Sequence, residues 1–246
     1  MNENRELSGK VGIVFGGSRG IGAAAARRLA SDGADVALTY VSAPDRAAQT
    51  VKAIEAAGQT GLAIAADSAD PEAIKAAVAQ TLDRFGKLDI AVVNAGILLM
   101  GDVASVSLED LDRMLNVNVR GVFLAIQAVA AHLPHGGRII TIGSNTAVRS
   151  GYPGSSVYSM TKAAVAVMVK GIAVDLAGRG ITVNNIQPGP TVTDMTVAHI
   201  ESLKPLIPVK RAGEPDEIAG LVSYLASQES GYMTGSSLTI DGGLAL

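Results

Sequence analysis

Short apolar runs rich in valine and isoleucine alternate along the chain with longer stretches whose apolar positions recur at helical spacing. The apolar runs predict β-strands at Val11–Phe15, Asp35–Tyr40, Thr60–Ala65, Ile90–Asn94, Arg138–Gly143, Thr182–Pro188 and Ser237–Ile240. The stretches between them predict α-helices at Gly20–Asp32, Pro44–Ala57, Pro71–Phe85, Leu108–Leu133, Ser156–Ala177 and Pro215–Leu225. Apolar strands that alternate with helices are typical of a parallel sheet covered on both faces.

This alternation continues to the end of the chain without a linker, a repeat or a low-complexity tract. The sequence therefore predicts one α/β domain over residues 1–246, a Rossmann-type doubly wound parallel sheet of about seven strands with helices on both faces. Ligands of such sheets bind at the carboxyl ends of the strands. The irregular stretch 189–214 is long for a compact domain and predicts a substrate loop, with a mobile surface loop as the alternative.

Composition narrows the class of protein. Hydrophobic residues make up 48% of the 246 residues and charged residues 17%, which excludes a disordered chain. The net charge of −3 gives no basic surface for nucleic acid or an anionic membrane. Because cysteine is absent, disulfides and thiolate chemistry are excluded, and no metal site is predicted. The segment Met1–Lys10 is polar and no apolar run approaches the ~20 residues that span a bilayer, so we expect a cytoplasmic protein.

A glycine-rich turn joins the first predicted strand to the first predicted helix. Its spacing is Gly-x-x-x-Gly-x-Gly. Glycine adopts the backbone angles of a tight turn and lets main-chain N–H groups approach a pyrophosphate at the positive end of a helix. The residues expected to bind a dinucleotide here are Gly16, Ser18, Arg19, Gly20, Ile21 and Gly22. A tight turn without a ligand is the alternative for this motif taken alone.

The end of the second strand bears on the choice of cofactor. NAD sites usually place a carboxylate there to hold the ribose 2′-hydroxyl, but the run through Tyr40 and Ser42 has none before Asp45. Arg19 in the turn and Arg46 after the strand offer guanidinium groups that can pair with a 2′-phosphate. NADP(H) is therefore the predicted cofactor. NAD, a dual-specificity site and a solvent-exposed Arg19 remain as alternatives.

Tyr158 and Lys162 begin a predicted helix and are four residues apart, so both side chains lie on one helical face. A free tyrosine has a pKa of about 10, too high for efficient proton transfer near neutrality. A nearby ammonium and an oxidised nicotinamide both favour the phenolate, and we therefore expect Lys162 and the cofactor to lower the pKa of Tyr158. The pair predicts an acid/base group for carbonyl–alcohol chemistry, with an ordinary surface pair as the alternative for this motif taken alone.

Other polar residues follow strands or interrupt helices nearby. Ser144 follows the predicted strand Arg138–Gly143, where its hydroxyl can hydrogen bond a substrate oxygen. Asn94, Ala95 and Gly96 end the fourth strand, where a backbone can lie beside a cofactor. Asn118 lies within an apolar helix, where a carboxamide needs a hydrogen-bond partner. A structural hydrogen bond and an exposed helical face are the alternatives for Asn118.

Together these residues resemble the short-chain dehydrogenase/reductase family. The resemblance runs from Gly9 to Gly243 and rests on seven motifs in order: Gly16-x-x-x-Gly20-x-Gly22, Asp67, Asn94-Ala95-Gly96, Asn118, Ser144, Tyr158-x-x-x-Lys162 and Pro188-Gly189-Pro190 with Thr193. It implies an enzyme that transfers hydride between a nicotinamide and a ketone or secondary alcohol. It also implies a cytosolic protein, often a homotetramer.

The resemblance assigns roles to individual residues. Ser144 would polarise the substrate, Tyr158 would transfer the proton, Lys162 would bind the nicotinamide ribose, and Asn118 would hold a water in a proton relay. The other implied cofactor contacts are Tyr40, Ser42, Asp67, Ser68, Asn94, Ala95, Gly96, Pro188, Gly189, Thr191 and Thr193. Phe15 and Val93 depart from the family's usual threonine and asparagine, and both changes remove a hydrogen bond that braces the cofactor turn.

The substrate is less constrained. The chain is similar to 3-oxoacyl-carrier-protein reductases, but Leu124 and Val174 stand where those enzymes need exposed arginines for an acidic carrier protein, which favours a free small ketone or alcohol. The predicted pocket residues are Ser144, Asn145, Tyr152, Tyr158, Pro190 and Met195, with Ile97 and Leu98 beside them. A 3-oxoacyl-carrier-protein reductase, an NAD-linked alcohol dehydrogenase and a non-catalytic NADP(H) sensor are the alternatives.

Overall fold

A seven-stranded parallel sheet forms the centre of the computed structural model, which describes residues 5–246. Residues 1–4 of the polar N-terminal segment lie outside the described part. The strands are β1 Val11–Phe15, β2 Asp35–Tyr40, β3 Gly61–Ala65, β4 Ile90–Val93, β5 Arg138–Ile142, β6 Thr182–Pro188 and β7 Ser237–Ile240. Their order across the sheet is β3-β2-β1-β4-β5-β6-β7. The predicted fold class, a doubly wound parallel sheet, is confirmed.

Helices connect the strands and cover both faces of the sheet. They are α1 Gly20–Ser31, α2 Pro44–Ala56, α3 Pro71–Phe85, α4 Leu108–Leu115, α5 Val122–Ala130, α6 Ser156–Ala177, α7 Ile200–Leu203 and α8 Pro215–Ala226. Short 3₁₀ turns occur at Asn145–Ala147 and Lys204–Leu206. The stretch 189–214, which was expected to be irregular, therefore contains α7 and a 3₁₀ turn.

The predicted helix Leu108–Leu133 is wrong as a single continuous element. It ends at Ala130, and a π-helical segment at Asn116–Gly121 separates α4 from α5. The apolar spacing is nearly the same for both helix types, so the pattern did not reveal the wider turn. Inserted π turns are rare and often lie at functional sites.

Two apolar layers hold the helices on the sheet. On one face, Ile74 of α3, Ile126 of α5 and Val169 of α6 pack in one buried cluster. On the other face, Leu29 of α1 and Leu225 of α8 belong to a second cluster. Because the central strands are buried on both sides, their sequences are continuous apolar runs, as β1 shows with all five residues buried.

Local signals in the sequence set the ends of several helices. The Asp70 side chain accepts a hydrogen bond from the Glu72 N–H at 2.9 Å, and Pro71 occupies the first helical position of α3. Gly86 ends the same helix in the left-handed conformation with φ 76°. The Ser107 hydroxyl caps α4 through the Asp110 N–H at 3.0 Å.

Among residues 5–246, α6 is long and apolar enough to span a bilayer, with 22 residues and a mean hydropathy of 1.4. This differs from the expectation that no segment would have that character. The core cluster on one face of the sheet includes Val165, Val169 and Ala173 of α6. The apolar residues of α6 therefore pack the helix against the sheet.

The strand order reverses between β1 and β4, because β1 leads to β2 on one side while β4 lies on the other. Connections after these two strands leave on opposite faces and open a crevice at the carboxyl edge. The glycine-rich turn follows β1, and Asn94 follows β4, so both predicted cofactor segments lie at this crevice.

Gly121, at the end of the π segment, lies close to the loop after β3, and substitutions at this position test that close approach. A Cβ atom at Gly121 would lie 2.2 Å from the Ser68 carbonyl oxygen, so we expect Gly121→Ala to lower the free energy of unfolding by about 1–3 kcal/mol. Gly171→Ala in α6 is the matched control, because its Cβ would meet no atom within 4 Å. The control is expected to be neutral or to stabilise by up to ~1 kcal/mol. Urea denaturation measures both, and equal stabilities of the two variants would contradict the close approach.

Candidate active site

The glycine-rich turn is shaped by close backbone approach. A Cβ atom at Gly22 would lie 2.1 Å from the Gly16 carbonyl oxygen, and Gly16 itself has φ 75°, which favours glycine. Gly20 also has a positive φ, 52°. Each of the three glycines is therefore required by the shape of the turn, and the turn presents the start of α1 toward the crevice.

Two side chains brace this turn from neighbouring strands. The Asn94 amide donates to the Gly16 carbonyl at 2.8 Å, and the Gly16 N–H donates to the Thr39 hydroxyl oxygen at 2.9 Å. Thr39 lies on β2 and is buried. The turn is therefore braced by hydrogen bonds to Asn94 and Thr39, although Phe15 and Val93 offer none from their side chains.

The start of α1 fits a pyrophosphate group. No side chain caps its first turn, and that turn has no acidic residue. The first N–H groups of a helix lack intrahelical partners and carry the positive end of the helix dipole. Together with the glycine cradle, these groups form a suitable site for a doubly charged phosphate linkage.

Beyond the turn, two guanidinium groups converge on one carboxylate. Arg46, in the first turn of α2, forms an ion pair with Asp194, and Arg19 Nη1 lies 3.6 Å from the same carboxylate oxygen. Tyr40 and Ser42 lie at the end of β2 on the chain that leads to Arg46, with Tyr40 partly buried and Ser42 exposed. The structure therefore shows that Arg19 and Arg46 can hold one anion between them.

The segment after β3 is held by a local hydrogen bond of Asp67 and by a close approach of Ser68 to the π segment. Asp67 is exposed, and its carboxylate accepts the Ala69 N–H at 2.9 Å. Ser68 is buried, and its carbonyl approaches Gly121 of the π segment. A contact between Asp67 and an adenine remains a prediction.

Tyr158 and Lys162 lie together near the start of α6. Lys162 is 5% exposed, and its Nζ donates to the Ile142 carbonyl at the end of β5 at 3.1 Å. The same Nζ lies 5.6 Å from the centroid of the Tyr158 ring. It would also lie 3.3 Å from a Cβ atom at Gly96, so the absence of a side chain there makes room for the amine.

In the protein chain by itself the pKa of Tyr158 is raised, so the presence of Lys162 alone does not produce the lowering that was expected of the amine and the nicotinamide together. Burial raises the pKa of Tyr158 to about 12, and a hydrogen bond with the Ser144 side chain lowers it only in part. Burial also lowers the pKa of Lys162 to about 8. Desolvation disfavours the charged forms of both side chains and is the largest cause of both shifts.

Asn118 is fully buried in the π segment and makes hydrogen bonds to two partners. Its Oδ1 accepts from the Ile97 N–H at 2.9 Å, and its Nδ2 donates to the Ile97 carbonyl at 2.9 Å and to the Thr161 hydroxyl at 3.2 Å. Thr161 in turn donates to the Tyr158 carbonyl at 2.7 Å. These contacts support the structural alternative for the carboxamide, and they leave it one acceptor position on Oδ1.

Ser144 lies directly after β5, facing the start of α6. Its oxygen accepts from the Thr146 N–H at 3.2 Å and from the Thr146 hydroxyl at 3.0 Å, which leaves its own hydroxyl hydrogen for Tyr158 or a substrate. Asn145 donates to the Asp241 carboxylate at 3.1 Å. The Tyr152 hydroxyl is buried with no hydrogen-bond partner among the described residues.

The start of the predicted substrate loop lies against the cofactor turn. Gly189 follows Pro188 at the end of β6, and a Cβ there would lie 2.5 Å from the Asp241 Cβ. The Thr191 hydroxyl donates to the Gly189 carbonyl at 3.0 Å. The Thr193 methyl lies 3.2 Å from the Cβ position of Gly20. Pro190 is partly buried and Met195 is exposed. The loop approaches the glycine turn through Thr193 and Asp194.

Four residues around the site were missed or given no role from the sequence: Thr39, Thr161, Asp194 and Asp241. All four make contacts with segments far apart in the chain, and no local pattern marks such partners. Thr161 lies between Tyr158 and Lys162 in the sequence, but its partner Asn118 is 43 residues away.

Comparison with known proteins gives one family. The family model described as Enoyl-(Acyl carrier protein) reductase matches residues 16–245. Versicolorin reductase 1 of Aspergillus parasiticus is 39% identical over 99% of this chain and 99% of that protein. A short-chain dehydrogenase/reductase from Serratia marcescens is 51% identical with a TM-score of 0.96, over 98% of this chain and 100% of that one. A short-chain dehydrogenase from Burkholderia cenocepacia, solved in complex with NADP, is 47% identical with a TM-score of 0.96 over the same shares.

The burial of Lys162 makes a prediction about stability. Its pKa of about 8 against 10.5 corresponds to an unfavourable contribution of about 3 kcal/mol at neutral pH, so Lys162→Met is expected to raise the free energy of unfolding by about 1–3 kcal/mol once the lost hydrogen bond to Ile142 is included. Lys170→Met, at an exposed position of the same helix, is the control and is expected to change little. Urea denaturation at pH 7 measures both.

The sign of the pH dependence follows from the depressed pKa. Below pH 8 the amine is charged in both states and the unfavourable contribution is complete. Between pH 8 and 10.5 the folded protein has released a proton that the unfolded chain still holds, so the advantage of Lys162→Met shrinks as the pH rises. A stability difference that is absent at pH 7, or that grows toward pH 10, would contradict this account.

Proposed function

The chain belongs to the short-chain dehydrogenase/reductase family, and from this premise we propose that it is an NADP(H)-dependent oxidoreductase acting on a small ketone or secondary alcohol. Tyr158 is the general acid/base, and Ser144 polarises the substrate oxygen. The observation that carries the proposal is the meeting of Tyr158, Ser144 and Lys162 at the carboxyl edge of the sheet, beside the glycine-rich turn.

Proton transfer is the task of Tyr158. When bound, the nicotinamide supplies or accepts the hydride. Burial keeps the phenol protonated at neutral pH, so Tyr158 Oη holds a proton for an oxygen on which negative charge develops. The Ser144 hydroxyl donates a second hydrogen bond to that oxygen.

Lys162 and Asn118 support this pair in different ways. Lys162 holds a buried amine beside the phenol ring and Gly96, where its remaining N–H donors can reach a nicotinamide ribose. Asn118 fixes the main chain of Ile97 and the Thr161 hydroxyl, so it acts on Tyr158 as a positioning residue. A water held by the one open acceptor position of Asn118 remains a prediction.

NADP(H) is the proposed cofactor. The carboxyl end of β2 lacks an acidic residue, and the Arg19 and Arg46 guanidiniums already converge on one carboxylate oxygen. Two guanidiniums in this position suit a 2′-phosphate. The solved relative from Burkholderia cenocepacia binds NADP, which supports the same choice here.

A free small molecule is the proposed substrate class. Leu124 is partly buried and Val174 is exposed, and neither offers a positive charge for an acidic carrier protein. The buried Tyr152 hydroxyl and the loop residues Pro190 and Met195 are the proposed pocket contacts. A cytoplasmic location and a homotetramer stay predictions of the family resemblance.

Replacement of Tyr158 tests the mechanism. Tyr158→Phe removes the transferable proton, so we expect turnover on a reducible ketone to fall by at least about 100-fold while NADPH binding changes by less than a few-fold. Tyr232→Phe, at a fully exposed tyrosine, is the control and keeps the parent rate. Steady-state rates on a panel of ketones and NADPH titration give the two readouts.

Three outcomes would count against the proposal. Retention of the parent rate by Tyr158→Phe would exclude the tyrosine as the acid. A clear preference for NADH over NADPH in kcat/KM would favour the NAD-linked alternative. Tight NADPH binding without turnover on any ketone or alcohol of the panel would favour the sensor.

A further inference from the structure

We propose that Asp194 competes with the 2′-phosphate of the cofactor for Arg19 and Arg46, and so sets how strongly the site discriminates NADP from NAD. The proposal rests on the proposed function, because it takes the Gly16–Gly22 turn as the place where a dinucleotide binds. Asp194 lies on the loop after β6, outside the motifs of the family resemblance.

The geometry places one carboxylate between two cations from different elements. Arg46, at the start of α2, pairs with Asp194 Oδ2, and Arg19 Nη1 lies 3.6 Å from the same oxygen. Arg19 precedes α1, so the two guanidiniums approach from the cofactor turn and from the end of β2. An anion that enters between them meets Asp194 as a rival for the same N–H donors.

The loop that carries Asp194 rests on the cofactor turn. The neighbouring Thr193 has its methyl group 3.2 Å from the Cβ position of Gly20. The Thr193 N–H donates to the Thr196 hydroxyl oxygen at 3.1 Å, which closes a short turn with Asp194 inside it. Asp194 is therefore held over the turn by its own loop, and its carboxylate is aimed at the two arginines.

Charge decides which dinucleotide is affected. A phosphate monoester carries about −1.5 to −2 charges at neutral pH and presents three acceptor oxygens, so it takes the guanidiniums from a single carboxylate. A ribose without a 2′-phosphate offers no anion to the two guanidiniums, so their pairs with Asp194 stay intact. Side chains of Arg19, Arg46 and Asp194 are 61%, 51% and 49% exposed, so solvent weakens each pair and the effect on affinity is several-fold.

Calorimetric titration with two nucleotides tests the competition without turnover. The probes are adenosine 2′,5′-bisphosphate, which carries the 2′-phosphate, and ADP, which lacks it. Asp194→Asn is expected to bind the bisphosphate about 3–10-fold more tightly and ADP within about 2-fold of the parent protein. Asp216→Asn is the matched control, because it makes the same change in net charge at an exposed ion pair with Arg27. Unchanged or weaker bisphosphate binding by Asp194→Asn, or equal tightening by Asp216→Asn, would overturn the proposal.

Arg46→Ala separates this proposal from the choice of cofactor. If the arginine binds the 2′-phosphate, Arg46→Ala weakens the bisphosphate and reduces the gain from Asp194→Asn in the double variant. Parent-like bisphosphate binding by Arg46→Ala would contradict the role of Arg46 in the NADP site itself. Weaker binding by Arg46→Ala together with no gain from Asp194→Asn would leave the NADP site standing and reject only the competition.

Discussion

Lys162 Nζ lies at the carboxyl edge of the sheet with almost no contact with water, and it donates to the Ile142 carbonyl at the end of β5. A charged amine in such a place is costly, and its pKa falls to about 8. The surroundings have to leave room for it: Gly96 lacks a side chain at the point of closest approach. This desolvated amine, with the phenol of Tyr158 beside it, is the constraint around which the end of β4, the end of β5 and the start of α6 are arranged.

The same desolvation acts on both members of the pair and in opposite directions of pKa. It raises the pKa of the phenol and lowers that of the amine, so the charged form of each residue is less favoured than it would be in water. A neutral phenol is the form that can donate a proton. The neighbouring contacts of Ser144, Asn118 and Thr161 orient the donors without adding charge.

Most of the fold could be predicted, because strands buried on both faces of a sheet appear in the sequence as continuous apolar runs, as β1 does. Close backbone approach could also be predicted where it requires glycine, as at Gly22. The π segment could not, since its apolar spacing resembles that of an α-helix. The spacing of Tyr158 and Lys162 predicted that they meet, but not the sign of the pKa shift, which depends on burial by distant segments. The ion pair of Arg46 with Asp194 joins residues 148 apart in sequence, and no local pattern marks such a contact.

The ionisation of Lys162 tests the account most directly. Protein labelled with ¹³C at lysine Cε can be titrated by NMR without added nucleotide, and the Lys162 resonance assigned by its loss in Lys162→Met. The account predicts a midpoint near pH 8, well below the other lysines. A midpoint at or above the ordinary value of 10.5 would show that the amine is solvated or paired with a negative charge, and would contradict the buried, uncompensated site described above.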